Sequence, residues 1–113
     1  MRIIDKKINK KELKFIAENT FGDMVKAVVD VDKNILCIDA ELHSDIESFL
    51  LEKGSQQNSL WGINLYPDIE GDDFIEFDSL INIRPNQGNR SRGVNDENIK
   101  KKIKEIVFDK IEL

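Results

Sequence analysis

The chain has 113 residues, 40% hydrophobic and 35% charged, with a formal net charge of −5 and a pI of about 4.9. Such a composition belongs to a folded globule with one modest core rather than to a disordered chain, and its acidity argues against long nucleic acid as a partner. The longest apolar runs, such as Phe49-Leu50-Leu51, are too short to cross a membrane, and charges at Arg2 and Asp5 come too early for a signal peptide.

A single cysteine, Cys37, and a single histidine, His43, leave no internal disulfide and no zinc site built on Cys and His alone. Together these features predict a single cytoplasmic domain, residues 1–113, without a cofactor or a resident metal.

Met1–Ile4 reads as a short first strand. Asn9, with Glu12 three residues on, is a capping pair for a helix whose apolar face is Leu13, Ile16 and Ala17, ending near Asn19–Gly22. Met24–Val31 alternates as a strand does, with Val25, Ala27, Val29 and Val31 on one side and Lys26 and Asp30 on the other. Asp32-Lys33-Asn34 turns the chain into a returning strand, Ile35–Glu41, with Leu36, Ile38 and Ala40 inward. Ser44 and Glu47 then form a capping box for a second helix with Ile46, Phe49 and Leu50 on its buried stripe, and Gly54 follows its end.

Leu60–Tyr66 is the next strand, with Trp61, Ile63 and Leu65 on the apolar side. Phe74–Arg84 reads as a long strand, with Ile75, Phe77, Ile81 and Ile83 inward and Glu76, Asp78, Asn82 and Arg84 outward. Pairing Tyr66 with Phe74 sets Asn64 beside Glu76 and Gly62 beside Asp78. Asn95 or Asp96 caps a last helix striped by Ile99, Ile103, Ile106, Val107 and Ile111.

The order β-α-β-β-α-β-β-α predicts an α+β two-layer sandwich, a mostly antiparallel sheet with its helices on one face. The other face then carries Lys26, Asp30, Asp39, Glu41, Asn64, Tyr66, Glu76, Asp78, Asn82 and Arg84, either wet or covered by a second subunit.

Several stretches of this chain resemble a family of small prokaryotic proteins of unknown function. They are Thr20–Asp30, Glu41-Leu42-His43, Gly54-Ser55 with Leu60–Asn64, and Ile81–Pro85 running to Gly88–Val94. The resemblance extends over nearly the whole chain and implies no activity, so it assigns no catalytic residue.

The most distinctive segment is a loop. Three of the chain's four arginines, Arg84, Arg90 and Arg92, fall within nine residues, while lysine supplies the charge elsewhere. A guanidinium offers a planar fork of donors suited to carboxylate or phosphate; an ammonium is a flexible point charge. Gly88 and Gly93 allow close backbone approach, and the loop leads into a helix N-terminus, whose free N–H groups favour anions.

Arg84, Arg90, Arg92, Asn89 and Gly93, with Asn64 and Asn82 orienting, are therefore expected to bind a small anionic ligand, phosphate-bearing by preference, at the amides near Val94–Asn95. The Gly-Lys-Ser/Thr ending of a Walker loop is missing.

Two alternatives share these residues. In one, the arginine loop and polar face form a homo-oligomer interface. In the other, Asp39, Glu41, Glu76 or Asp78 hold a divalent ion for phosphoester hydrolysis. Pro67-Asp68 with Glu76-Phe77-Asp78 approaches a nuclease pattern, but Asp78 stands where that pattern needs lysine. Cys37 and His43 as a nucleophile and its base are disfavoured by a mid-strand thiol.

Overall fold

The computed structural model describes residues 1–113. Its elements are β1 (Arg2–Ile3), β2 (Ile8–Asn9), α1 (Lys10–Glu18), β3 (Val25–Asp30), β4 (Ile35–Ile38), α2 (His43–Glu52), β5 (Leu60–Leu65), β6 (Ile75–Glu76), α3 (Glu97–Lys110) and β7 (Ile111–Glu112). The class is α+β, as the periodicities indicate. Five strands form a sheet in the order β1-β4-β3-β5-β6, every neighbouring pair antiparallel. A separate parallel pair, β2 with β7, ties the entry of α1 to the exit of α3 through Ile8 and Ile111. Its strands are two residues long, too short to leave a periodic trace in the sequence.

Local chemistry explains most element ends. Asn9 accepts the Glu12 N–H at 2.8 Å and starts α1. Asp96 accepts from Asn98 and Ile99 and starts α3. Asp30 is buried rather than wet. Its carboxylate accepts from the Asp32 and Lys33 N–H groups, both at 3.0 Å, and from the Ser55 hydroxyl at 2.6 Å. It thereby clamps the β3–β4 turn, where Asn34 takes the left-handed conformation, to the end of α2.

The expected single helical layer is incomplete. α1 and α3 cover one face of the sheet, where Leu13, Ala17, Ile103, Ile106 and Val107 pack on Ala27, Val29, Leu36 and Ile63 in a core of 19 buried residues. α2 lies on the opposite face. There Ile46 and Leu50 meet Val28, Cys37 and Leu60 in a cluster of five. The reason is that β3 and β4 carry apolar side chains on both phases, Val28 between Ala27 and Val29 and Cys37 between Leu36 and Ile38. A strand buried on both faces needs cover on both. The polar face expected to be wet, or covered by a second subunit, is thus partly covered by the chain's own α2.

The strand expected over Phe74–Arg84 is only two residues long. Asn64 does pair with Glu76, but Gly62 does not pair with Asp78. After Glu76 the chain bends through short 3-10 turns at Leu80–Asn82 and Pro85–Gln87. Ser79 turns it, its hydroxyl accepting the Ile81 N–H at 3.2 Å. The Asn82 amide then substitutes for strand backbone: Gly62 N–H donates to Oδ1 at 2.8 Å, and Nδ2 donates to Gly62 O at 3.0 Å. The edge of β5 is finished by a side chain, which alternation cannot reveal.

Candidate functional site

The arginine loop is built largely from its own bonds. Asn89 is buried, and its Nδ2 donates to the Asn82, Ser91 and Gly93 carbonyls while its Oδ1 accepts the Asn95 N–H at 2.8 Å. Arg84 and Asn89 also exchange backbone hydrogen bonds across the turn. Arg84 is buried. Its two terminal nitrogens donate to the Gln57 and Leu60 carbonyls, and its guanidinium lies 4.2 Å from the centre of the Trp61 ring. Gln87 Nε2 adds a bond to Asn58 O at 3.0 Å. The loop from Gly54 to Ser59 is therefore the seat of Arg84. Gly93 sits against Phe77 O, where an added Cβ would lie at 3.4 Å.

These bonds fill the place where the sequence locates an anion. The Asn95 N–H is taken by Asn89, and the next amides of α3 are taken by the Asp96 carboxylate. Arg90 is exposed and without a side-chain partner. Arg92 points elsewhere, with Nε 2.5 Å from Asp78 Oδ1.

That pair stands on the rim of a cleft of about 440 Å³. Its floor is β5 and β6, with Asn64, Tyr66 and Glu76; β3 contributes Lys26. One wall is the start of α2, with Leu42, His43 and Ser44, and the other is the bend with Asp78, Ser79, Leu80 and Ile81. Of the residues singled out from the sequence, Asn64 and Arg92 meet here, together with Glu76 and Asp78 from the carboxylate set. Asn82, Arg84 and Asn89 lie behind the wall and hold it.

The expected capping box does not form. α2 begins two residues earlier than Ser44 as N-cap would require, with Leu42 at the N-cap position and no side-chain cap. His43 is the cause. Its ring is buried against β5, with Nε2 donating to Ile63 O at 2.8 Å, and this pulls the first turn onto the sheet. Glu47, freed from capping, is half-buried on the side of Gln57 and Arg84, and burial raises its pKa while Arg84 and Gln57 oppose the rise. Leu42, His43 and Ser44 consequently line the cleft with no side-chain cap on their turn, in which the Asp45 N–H already donates to Leu42 O at 3.2 Å.

Close approach of the two walls depends on Gly62. A Cβ there would lie 2.6 Å from both Ser79 Cβ and Ser79 Oγ, and 3.2 Å from His43 Cγ. Beside it Asn64 is 5% exposed. Its Nδ2 donates to Glu76 Oε1 at 2.8 Å and to Asp78 O at 3.3 Å. Both are acceptors, so the amide orientation is determined by its surroundings, and Oδ1 is left buried without a hydrogen-bond partner.

Electrostatics in the cleft are balanced. Lys26 and Arg92 face Glu76 and Asp78, two cations and two carboxylates. Burial lowers the pKa of His43 below its ordinary 6.5 and Lys26 adds to the lowering; the Ile63 carbonyl, Asn64 and Asp78 pull it back. Burial also drives the Tyr66 hydroxyl up to about 12, helped by its hydrogen bond to Glu76 at 3.0 Å. His43 is thus neutral and Tyr66 a donor at neutral pH.

The carboxylates proposed for a divalent ion are divided. Glu76 and Asp78 line this cleft, whereas Asp39 and Glu41 line another beside Met1, Asp45 and Glu52. No group of three or more His, Cys, Asp or Glu side chains comes together to hold a metal ion. Cys37 is fully buried under α2, and burial pushes its thiol up to about 11, far from a reactive thiolate.

The fold and the cleft define a small α+β protein with a polar recess between a helix start and a sheet edge. The chain belongs to the DUF5674 family, described as proteins of unknown function, with residues 2–110 matched. No curated protein and no solved structure matches it. No helix is long and apolar enough to cross a membrane.

Proposed function

We propose that this protein is a binding module for a small anionic ligand, and that the ligand sits in the cleft at the start of α2 rather than at the start of α3. The observation that carries this reading is the first turn of α2, without a side-chain cap, beside the cations Lys26 and Arg92 in the same cleft. A helix start exposes N–H donors and a partial positive charge that favour an anion. The buried Oδ1 of Asn64, which lacks a donor, can accept from an N–H or O–H carried elsewhere on the same ligand, not from its anionic group.

Arg92 and Lys26 supply positive charge in the cleft. The Arg92–Asp78 pair is exposed, so an anion can compete for Arg92 at little cost in stability. Arg84, Asn82 and Asn89 serve the site by shaping the wall. Arg90, unpaired and exposed close to Arg92, adds long-range attraction for anions.

His43 is the only histidine, so its imidazole proton signals report on this cleft alone. Titration with acetate and with inorganic phosphate at constant ionic strength should move those signals along a saturating curve. Arg92→Ala should weaken the response while leaving the far-ultraviolet circular dichroism unchanged. Shifts that grow linearly with salt and are identical in Arg92→Ala would refute the anion reading.

A further inference from the structure

Resting on the anion reading above, we infer that the ligand is a small zwitterion of the amino-acid class, carrying an ammonium group besides its anionic group. Strand register lays out the charges of the cleft. Lys26 on β3 pairs with Asn64 on β5, and Asn64 pairs with Glu76 on β6, so the three side chains form one row on the cleft face. Adjacent strands lie about 4.8 Å apart, which sets the backbones of Lys26 and Glu76 roughly 10 Å apart with Asn64 between them. Arg92 and Asp78 pair with each other. Neither Lys26 nor Glu76 has an ion-pair partner. Lys26 Nζ lies 5.4 Å from the centre of the Phe21 ring, and Glu76 Oε1 accepts from Asn64 and Tyr66. The row therefore has an unpaired positive end and an unpaired negative end.

Asn64, in the middle of the row, adds the need for a donor. Its Nδ2 donates to Glu76 Oε1 and Asp78 O, so Oδ1, at the other corner of the amide, is turned away from both and has no donor of its own. A lone anion leaves that oxygen unpaired and is repelled by Glu76 and Asp78. A hydroxyl donates to it but brings no charge to Glu76. An ammonium does both. With opposite charges on one molecule, attraction at each end of the row is no longer offset by repulsion from the other end. The anionic group then lies toward Lys26 and the start of α2, and the ammonium toward Asn64 and Glu76. A volume of about 440 Å³ admits a ligand of this size.

The test uses the whole chain and the His43 imidazole signals at constant pH and ionic strength. The probes are alanine, γ-aminobutyrate, propionate, lactate, ethylammonium and inorganic phosphate. At least one of the two zwitterions should saturate, and the tighter one reports the charge separation that the site takes; either supports the class. Propionate, lactate and ethylammonium, each lacking the ammonium or the carboxylate, should bind roughly tenfold or more weakly. Glu76→Gln, at an exposed position, keeps an acceptor for Asn64 and Tyr66. It should weaken the tighter zwitterion roughly tenfold and tighten propionate, opposite movements that a purely structural effect does not produce. Propionate, lactate or phosphate binding as tightly as the better zwitterion overturns the inference while the anion reading stands. Glu76→Gln weakening zwitterion and propionate alike also overturns it. Ethylammonium binding as tightly as the zwitterions, or no saturation by any probe, overturns both readings.

Discussion

The two faces of the sheet are closed by different means. Under α1 and α3 the closure is apolar and continuous, a core of 19 buried residues. Under α2 the apolar cluster is only five residues, and beyond it the contact becomes polar: His43 on Ile63 O, Asn82 on Gly62, Arg84 on Gln57 and Leu60. Apolar packing can seal a face because it has no directional demands. Polar closure must satisfy each donor and acceptor, and here it leaves Glu47 Oε2, Arg84 Nε and Asn64 Oδ1 unpaired, the last beside an open recess. The candidate site is where the second kind of closure ends.

The comparison can be broken first on the apolar side. Ile103→Ala should cost about 3 kcal/mol in denaturant unfolding, because it opens a cavity at a fully buried position. His43 signals should stay in place. Gly62→Ala tests the polar side and should cost about 2 kcal/mol, since Ser79 must move to admit the methyl group. Here the His43 signals should shift, because the ring borders the same space. If Gly62→Ala leaves them unmoved, the two walls are not held at close approach by this glycine.

Arg84→Lys should cost about 1.5 kcal/mol, because an ammonium cannot reproduce the fork onto two carbonyls or the stacking on Trp61. A thermal unfolding midpoint unchanged by this substitution would return Arg84 to the list of groups free for a ligand.

A milder effect follows from pH. The folded pKa of His43 lies below 6.5, so the unfolded chain binds the proton more readily. Its contribution to stability is therefore complete above about pH 6.5 and is lost as pH falls toward the folded value. His43→Gln should flatten the slope of the unfolding midpoint over that window. Smallest of all, Arg92→Ala should change stability by less than about 0.5 kcal/mol, as its ion pair is exposed, while weakening anion binding. A large destabilisation would make Arg92 structural and favour an internal role for the whole loop.

Much of this was legible in the residues. The caps at Asn9 and Asp96, the β3–β4 hairpin, the pairing of Asn64 with Glu76 and the stripes of α1 and α3 all follow from local patterns. The arginine loop stood out by composition, but composition does not tell a buried guanidinium from a free one. Arg84 and Arg92 look alike in sequence; one bonds two carbonyls under Trp61 and the other an exposed Asp78. His43 was missed as a cleft residue because Ser44-x-x-Glu47 offers a better local cap. The one signal that pointed to it was an isolated polar ring between Leu42 and an apolar helix stripe.

By itself the sequence determined the α+β class and the helix and strand periods, because those depend on neighbours within a few residues. It also determined the acidic surface and the family. The tertiary structure alone decided that α2 crosses to the second face, that Asn82 completes the β5 edge and that Asn64 keeps an unpaired oxygen. Those outcomes depend on groups some 10 to 30 residues apart competing for the same hydrogen bonds, and no local pattern records which competitor wins.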